Sequence, residues 1–496
     1  MDDLGIAGDT AREELLRTAE EALHRLAPDL PADAAVLLRG LHAGVPSEEL
    51  AAMPAEAVAA AAASLYGFAR ERPPGEARVR VLPPGPGRGP HPVAEIVTDD
   101  MPFLVDSALG ALTRRGQLVR QLLHPVLPVR RDAEGRLLSL GEDGPHESLM
   151  RIVLDPAPAA LLPGLPAPPE RSWPALEGAL GRAMADVRLA VADFPAMAAE
   201  LRRAAAELGE GPEAAFLRWL AEDNFVQIGH RRLVLGPGGE VSVDPASNLG
   251  LLRDPSLPVF DALRDLSALP PAIRAAIADP APLSVVKANM RSTVHRPQHA
   301  DVIATRIPGP EGRAAGLRLF VGLFAASAYN RNPRAIPWLA EKVDRILAAA
   351  GLDPEAHDGR ALRNIIDTWP RDELFAAPEA VILAGARRAL DLAIRPRPAL
   401  VTRRDPFGRF VSAIAWLPRD AFDTNLRERV GGMIARAFGG EPSAFYIAIG
   451  DSPLARVHYI IRTNPAHPVQ ADEAVLERAI AQAARSFPDR LAEALA

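Results

Sequence analysis

The chain carries one short order of elements twice, and this repetition limits its folds more than any other feature. Between 93 and 155 an apolar run VAEIV precedes a helix-period segment, MPFLVDSALGALTRRG. A second apolar run LVRQLLHPVLPV, a DAEG turn and the strand ESLMRIVLD follow. Between 397 and 463 come ALVTRR, a DPFG turn, RFVSAIAWL, the helical DTNLRERVGGMIARAF, and the strands AFYIAIG and ARVHYIIRT. Short apolar strands need a helix or second layer to bury a face, so each stretch predicts a small β-α-β-β sandwich. In the first helix Asp99 or Asp100 is placed to cap, Pro102 to sit in the first turn and Gly116 to terminate. Val105, Leu109 and Leu112 are expected to face the sheet. In the second, Leu426, Val430, Ile434 and Ala437 mark the apolar face and Gly439 the end.

The rest of the chain divides around these two stretches. Residues 1–72 read as a helical packing or docking segment, with Leu15, Leu16, Ala19, Leu23 and Leu26 at helical spacing. Residues 73–155 hold the first sandwich, with one strand from Ala77 to Leu82 and a Pro/Gly linker. The GPGRGP within that linker has the wrong spacing for a phosphate loop and opens no helix, so it reads as a flexible turn. Residues 156–222 are a Pro-rich linker (Pro156 to Pro174) and helices, the last through FLRWLAED. Residues 223–335 form a middle mixed α/β domain, with a helix expected around Val259 to Ile277. Residues 336–396 are a helical connector and 397–466 the second sandwich. Residues 467–496 are a final helix without a capping signal, which suggests truncation.

At 496 residues, and roughly 100–200 residues per domain, about three folding units are expected, or two with substantial helical connections. Apolar residues at 48% and charged residues at 24% are those of a globular chain. A net charge of −7 gives no positive field for nucleic acid. Zero cysteines exclude disulfides, thiolate metal sites and sulfur nucleophiles within these residues. The acidic N-terminal stretch lacks the pattern of a secretory signal, and no segment approaches 18 uncharged apolar residues, so the location expected is cytoplasmic, with no membrane partner.

The densest polar constellation is KANMRSTVHRPQHAD, which holds Lys287, Arg291, His295, Arg296, His299 and Asp301. A metal reading needs His295, His299 and Asp301 to converge, and Pro297 breaks the helical face that would bring the histidines together. Two readings stay open. Lys287, Arg291 and Arg296 could bind an anion, or the segment could form a polar interdomain network without ligand. His124, inside an apolar run, reads as a hydrogen-bonded core residue. Asp358, and Asp372 with Glu373, read as helix caps, and Arg403, Arg404 and Asp405 as a solvated or interface hairpin. No Gly-x-Ser-x-Gly elbow and no Gly-x-Gly-x-x-Gly after a strand occurs, so no catalytic, cofactor or metal residue is assigned.

Five stretches, TDDMPFLVDS, WLAEDNFVQIGHR, KANMRSTVHRP, HDGRALRNIIDTWPRDELF and RRDPFGRFVS, resemble in order the N-terminal region of the large bacterial NAD-specific glutamate dehydrogenases. The resemblance covers about Val93 to Thr463. It implies an α+β or α/β multidomain fold, with two ACT-like sandwiches flanking a middle mixed sheet sometimes compared with PAS folds, joined by helical segments. It also implies a regulatory and oligomerisation segment without the catalytic domain, with NAD serving the parent enzyme, which converts L-glutamate to 2-oxoglutarate and ammonia. The partners implied are a second copy of the chain, the downstream catalytic domain and an amino-acid effector. Asp99 and Asp100 open the helix at which ACT domains take amino acids, although Phe103 replaces the usual glycine there. The alternatives are a free-standing ACT-like amino-acid sensor, and a self-contained enzyme using the Lys287 to Asp301 segment.

Overall fold

The computed structural model describes residues 3–85, 89–155 and 172–485. The GPGRGP turn lies partly, and the Pro-rich linker almost wholly, outside these residues, as does the end of the final helix. The chain divides into two units. One comprises residues 1–195, 249–253 and 291–299; the other comprises 196–248, 254–290 and 300–496.

The first unit opens with four helices, α1 (Asp3–Leu26), α2 (Ala34–His42), α3 (Ser47–Ala51) and α4 (Ala55–Ala69). The helical spacing of Leu16, Ala19 and Leu23 buries them with Leu37, Leu41, Val58 and Leu65. Val97, Leu123 and Leu149 of the neighbouring sheet share that core, so the helices complete the sheet. The sheet contains β1 (Arg78–Leu82), β2 (Val93–Asp99), β3 (Val119–Leu123), β4 (Val126–Arg131), β5 (Leu137–Leu140) and β6 (His146–Leu154), with α5 (Leu104–Arg114) between β2 and β3. Its order is β1-β2-β6-β4-β5, with β3 also on β6. The sequence pattern missed β5, a four-residue strand paired to β4 just past the DAEG turn.

Helix α5 departs from its expected capping. Its N-cap is Phe103, in the left-handed region at φ 71°, and no side chain caps it; Pro102 precedes the helix. Asp99 ends β2 and is held by arginines, while Asp100 donates its backbone N–H to the His146 carbonyl. Leu104, Ala108, Ala111 and Leu112 are the buried face, with Val105 and Leu109 only half-buried. Gly116, at φ 66°, ends the helix as expected.

Helix α6 (Trp173–Leu208) leads from the first unit into the second and contains Pro195. After α7 (Pro212–Trp219), a wide turn at 220–224 enters β7 (Phe225–Leu235) and β8 (Val241–Gly250). The helix expected over 259–277 is two single 3₁₀ turns followed by α8 (Pro271–Ala278). Then come β9 (Leu283–Arg291), β10 (His299–Pro308) and β11 (Ala314–Phe324), giving the sheet order β8-β7-β11-β10-β9. A hairpin joins β10 to β11, and β11 pairs antiparallel with both β7 and β10.

Five helices follow: α9 (Ala326–Asn330), α10 (Leu339–Ala350), α11 (His357–Asp367), α12 (Arg371–Ala376) and α13 (Glu379–Ile394). Phe324 of β11 stacks on Phe375 of α12 with centroids 4.6 Å apart, and Phe216 packs on the same ring. The last sheet is β12 (Ala399–Arg404), β13 (Phe410–Pro418), β14 (Glu441–Ala448) and β15 (Leu454–Arg462), ordered β12-β13-β15-β14, with α14 (Thr424–Ala437) and α15 (Glu473–Ala483). Ile414 and Trp416 join the core of the preceding helices, whereas Val411, Ala413 and Ala415 pack against α14 and α15. Burial on both faces explains why β13 reads as a nearly continuous apolar run, broken only by Ser412. Leu426, Val430 and Ile434 face this sheet and Gly439, at φ 62°, follows the helix end, as their spacing predicts.

Candidate functional site

Two ionic centres meet at α12. On one side, Lys287 of β9 places Nζ 2.7 Å from Asp301 Oδ1 and 3.2 Å from Asp372 Oδ1. The Tyr329 hydroxyl donates to Asp372 Oδ1 at 3.1 Å, and the Phe324 N–H to Asp301 Oδ2 at 3.4 Å. Strands β9 and β10 supply the lysine and first carboxylate because neighbouring strands present side chains on a common face. Burial alone would lower the Lys287 pKa, but the two carboxylates outweigh it and hold the ammonium well above its usual range. Burial pushes the Asp301 carboxyl up to about 6 against the opposing pull of Lys287.

On the other side Glu373 takes two hydrogen bonds from Arg403, at 2.7 and 2.6 Å. Ser412 and His458 complete this group, with the hydroxyl 2.8 Å from Nε2. Burial would raise the Glu373 pKa, yet Arg403 brings it below the ordinary value. Burial lowers the pKa of His458 against the opposing pull of Glu373. Asp372 and Glu373, adjacent in sequence, therefore anchor α12 to the middle sheet and to the last sheet respectively.

These contacts correct two expectations of helix caps and decide between the two readings of the hairpin at 403–405. Asp372 and Glu373 pair with Lys287 and Arg403, and the N-cap of α12 is Pro370. Asp358 lies in the first turn of α11, whose N-cap is Ala356. Arg403 and Asp405 are not solvated: Asp405 is 3% exposed and accepts from Arg409, which also donates to the Lys287 carbonyl. Sequence reasoning missed this second centre because its members lie far apart in the chain and no local spacing unites them.

The KANMRSTVHRPQHAD constellation is parted. Lys287 serves the carboxylates above, while residues 291–299 belong to the first unit and pack on α5. There His295, itself at φ 63°, donates its backbone N–H to Ser107 and sets Nδ1 2.7 Å from Asp106. Its ring centroid is 5.2 Å from that of Phe103. Arg291 and Arg296 lie in this same segment, which falls in the first unit, whereas Lys287 falls in the second. Among the described residues no cluster of three or more histidine or acidic side chains is arranged for a metal ion. Asp99 bridges Arg72 and Arg188, each at 2.5 Å, which together outweigh its burial and lower its pKa. Asp100 is exposed. His124 is half-buried with Nε2 2.5 Å from the Ser148 hydroxyl, and burial lowers its pKa.

The chemistry available is that of charge pairing and proton uptake. Lys287 is held as an ammonium, and Lys342, lowered to about 8 by burial, donates to the Phe375 and Ala377 carbonyls. Neither lysine is a free amine nucleophile. A groove of about 580 Å³ in the first unit is lined mainly by apolar residues including Leu41, Val45, Leu123 and Leu127, apart from the six candidate residues named from the sequence.

The structure is thus a mixed α/β multidomain protein built on antiparallel sheets, with ACT-type domains where known sequence patterns match. Residues 37–162 match the glutamate dehydrogenase ACT1 domain, 336–395 the glutamate dehydrogenase helical motif 1, and 399–487 the glutamate dehydrogenase ACT2 domain. The NAD-specific glutamate dehydrogenase of Halomonas elongata is 32% identical over 521 residues, covering 99% of this chain and 31% of that protein. Its counterpart in Pseudomonas aeruginosa is 32% identical over 418 residues, covering 80% and 25%. That of Mycobacterium tuberculosis is 29% identical over 465 residues, covering 87% and 27%. The chain belongs to the large NAD-specific glutamate dehydrogenase family.

It spans less than a third of the length of these relatives. The expectation of an N-terminal regulatory and oligomerisation segment lacking the catalytic domain, or of a free-standing sensor, is corrected by the extent of the match. Similarity runs over 99% of the chain to a protein named as the dehydrogenase, whereas the sequence motifs reached only from about Val93 to Thr463. Physically, α1–α4 share a core with the first sheet and α15 with the last, so the motif-poor ends belong to the same folded units.

Proposed function

We propose that this chain works in the NAD-dependent oxidation of L-glutamate to 2-oxoglutarate and ammonia, as part of an NAD-specific glutamate dehydrogenase. The observation that supports this is the similarity along 99% of its length to the Halomonas elongata enzyme. In this reading the five-stranded middle sheet is a PAS-like module, and the protein acts in the cytoplasm on free glutamate. Lys287, Asp301 and Asp372 are structural ions that fix α12 between two sheets.

A dinucleotide needs a glycine-rich turn leading from a strand to a helix N-terminus. The described connections of this kind, 100–103, 251–270, 325, 419–423 and 463–472, contain no glycine. The described residues therefore offer no Rossmann-type turn for NAD, and no catalytic step is assigned to them. The test is deletion of the coding sequence in its own cell, followed by NADH formation from glutamate and NAD in extracts. Loss of that activity, with NADP-linked glutamate oxidation unchanged, is expected. Retention of full NAD-linked activity would overturn the reading.

A further inference from the structure

The groove of about 580 Å³ in the first unit takes no part in the ionic centres, and its volume lies within the roughly 300–1,000 Å³ of small-molecule sites. One wall is the turn from α2 into α3, and the other is the corner between β3 and β4 around Pro125. The chain itself holds both. Arg12 donates to the carbonyls of His42, Ala43 and Val45 at 2.5, 3.1 and 2.6 Å, which fixes the turn. At the corner, His124 Nε2 lies 2.5 Å from the Ser148 hydroxyl. A β-carbon at Gly40 would stand 3.3 Å from Pro125 Cβ and 3.5 Å from Leu127, so glycine lets α2 lie close against this corner. A site shaped before its ligand arrives loses little binding energy to ordering.

The lining decides the chemistry of the guest. Among the described residues it holds no lysine, arginine or aromatic side chain, and its one carboxylate is Glu49. The Glu49 carboxylate and the Gln121 side-chain amide make no hydrogen bond or ion pair to the described residues, whereas Leu41, Val45, Leu123 and Leu127 supply aliphatic walls. An anion would meet a like charge and no cation, which disfavours glutamate, 2-oxoglutarate and dinucleotides here. A zwitterionic amino acid would leave its own carboxylate unpaired. We propose that this groove binds a small aliphatic primary amine as its monocation, with the ammonium set against Glu49 and the Gln121 amide oxygen and the hydrocarbon along the aliphatic walls. An ammonium has three donors and no acceptor, which suits two acceptors that the protein does not use. Glu49 is exposed, so its charge selects the sign of the guest while the walls supply most of the affinity, and a dissociation constant of about 1 mM is expected.

Isothermal titration of the purified chain with n-hexylamine near about pH 7, beside n-butylamine and hexanoate, tests this. The expected result is saturable hexylamine binding, butylamine weaker by about five- to fifteenfold for its two missing methylenes, and no saturation by hexanoate. Glu49→Gln, at an exposed position, is expected to weaken hexylamine about three- to tenfold, with circular dichroism checking that the variant folds. Gln121→Ala gives a second, independent loss. Hexanoate binding as tightly as hexylamine, hexylamine binding indifferent to both substitutions, or no saturation by about 50 mM would each overturn the proposal. Binding is read on the chain alone, so this outcome is independent of whether the NAD-linked activity is found.

Discussion

Replacing Lys287 by methionine keeps most of the side-chain volume and removes the ammonium that bridges Asp301 and Asp372. Asp301 is 2% exposed, so its charge is left in the core with only the 3.4 Å contact from the Phe324 N–H. Breaking a buried pair from one side costs about 3–5 kcal/mol, because the remaining ion keeps its desolvation penalty. The sign with pH follows from Asp301, whose folded pKa of about 6 lies above the ordinary carboxyl value of 3.8. A raised carboxyl contributes stability that is fully present below the unfolded pKa and lost as pH rises through the folded one. Without Lys287 that pKa climbs further, so the penalty is expected to be largest near about pH 7.5 and smaller near about pH 5. Guanidinium denaturation followed by tryptophan fluorescence is the assay, since Trp219, Trp338, Trp369 and Trp416 all lie in the second unit. The double variant Lys287→Met/Asp301→Asn should recover much of the loss and remove its pH dependence. A single-variant penalty below about 1 kcal/mol at both pH values would refute the account, as that is the size of an exposed pair.

His230 makes the opposite prediction in an overlapping window. Burial lowers its pKa from 6.5 to about 4, so its contribution is present above the unfolded pKa and lost as pH falls through the folded one. His230→Phe should flatten the acid side of the stability profile, the effect at stake being up to about 3 kcal/mol, and an unchanged profile would refute it. Gly316 has φ 152°, and a β-carbon there would stand 2.0 Å from the Leu233 carbonyl oxygen of the paired strand. Gly316→Ala should therefore destabilise the second unit by at least about 1–3 kcal/mol in the same denaturation assay, and a neutral result would refute the close approach.

The elements that could be read from the sequence are those whose pattern is local. The face of α14 and the strand β13 follow from spacing and continuous apolarity, and Gly116 and Gly439 from the left-handed conformation that ends a helix. The carboxylates were misread for a definite reason. Asp99, Asp372 and Glu373 each stand where a cap would stand, but distant cations claim them: Arg188, Lys287 and Arg403. Short-range spacing cannot show such competition. It also cannot show that Phe103 and His295 both adopt positive φ, since neither carries the glycine signature. The rarity of lysine did mark Lys287, and Asp301 stood in the same stretch, yet Asp372 came into view only with the fold.

Within these 496 residues lysine occurs only at Lys287 and Lys342, and both are enclosed by the second unit. With Lys342 buried and Lys287 largely covered by its carboxylates, amine-directed reagents find little to label, and a lysine-specific protease no ready cleavage point, until that unit opens. Once it does, scission after the two lysines yields three fragments, 1–287, 288–342 and 343–496. These residues thus carry an internal reporter, and the appearance of those fragments from this chain times the opening of the second unit without any added probe.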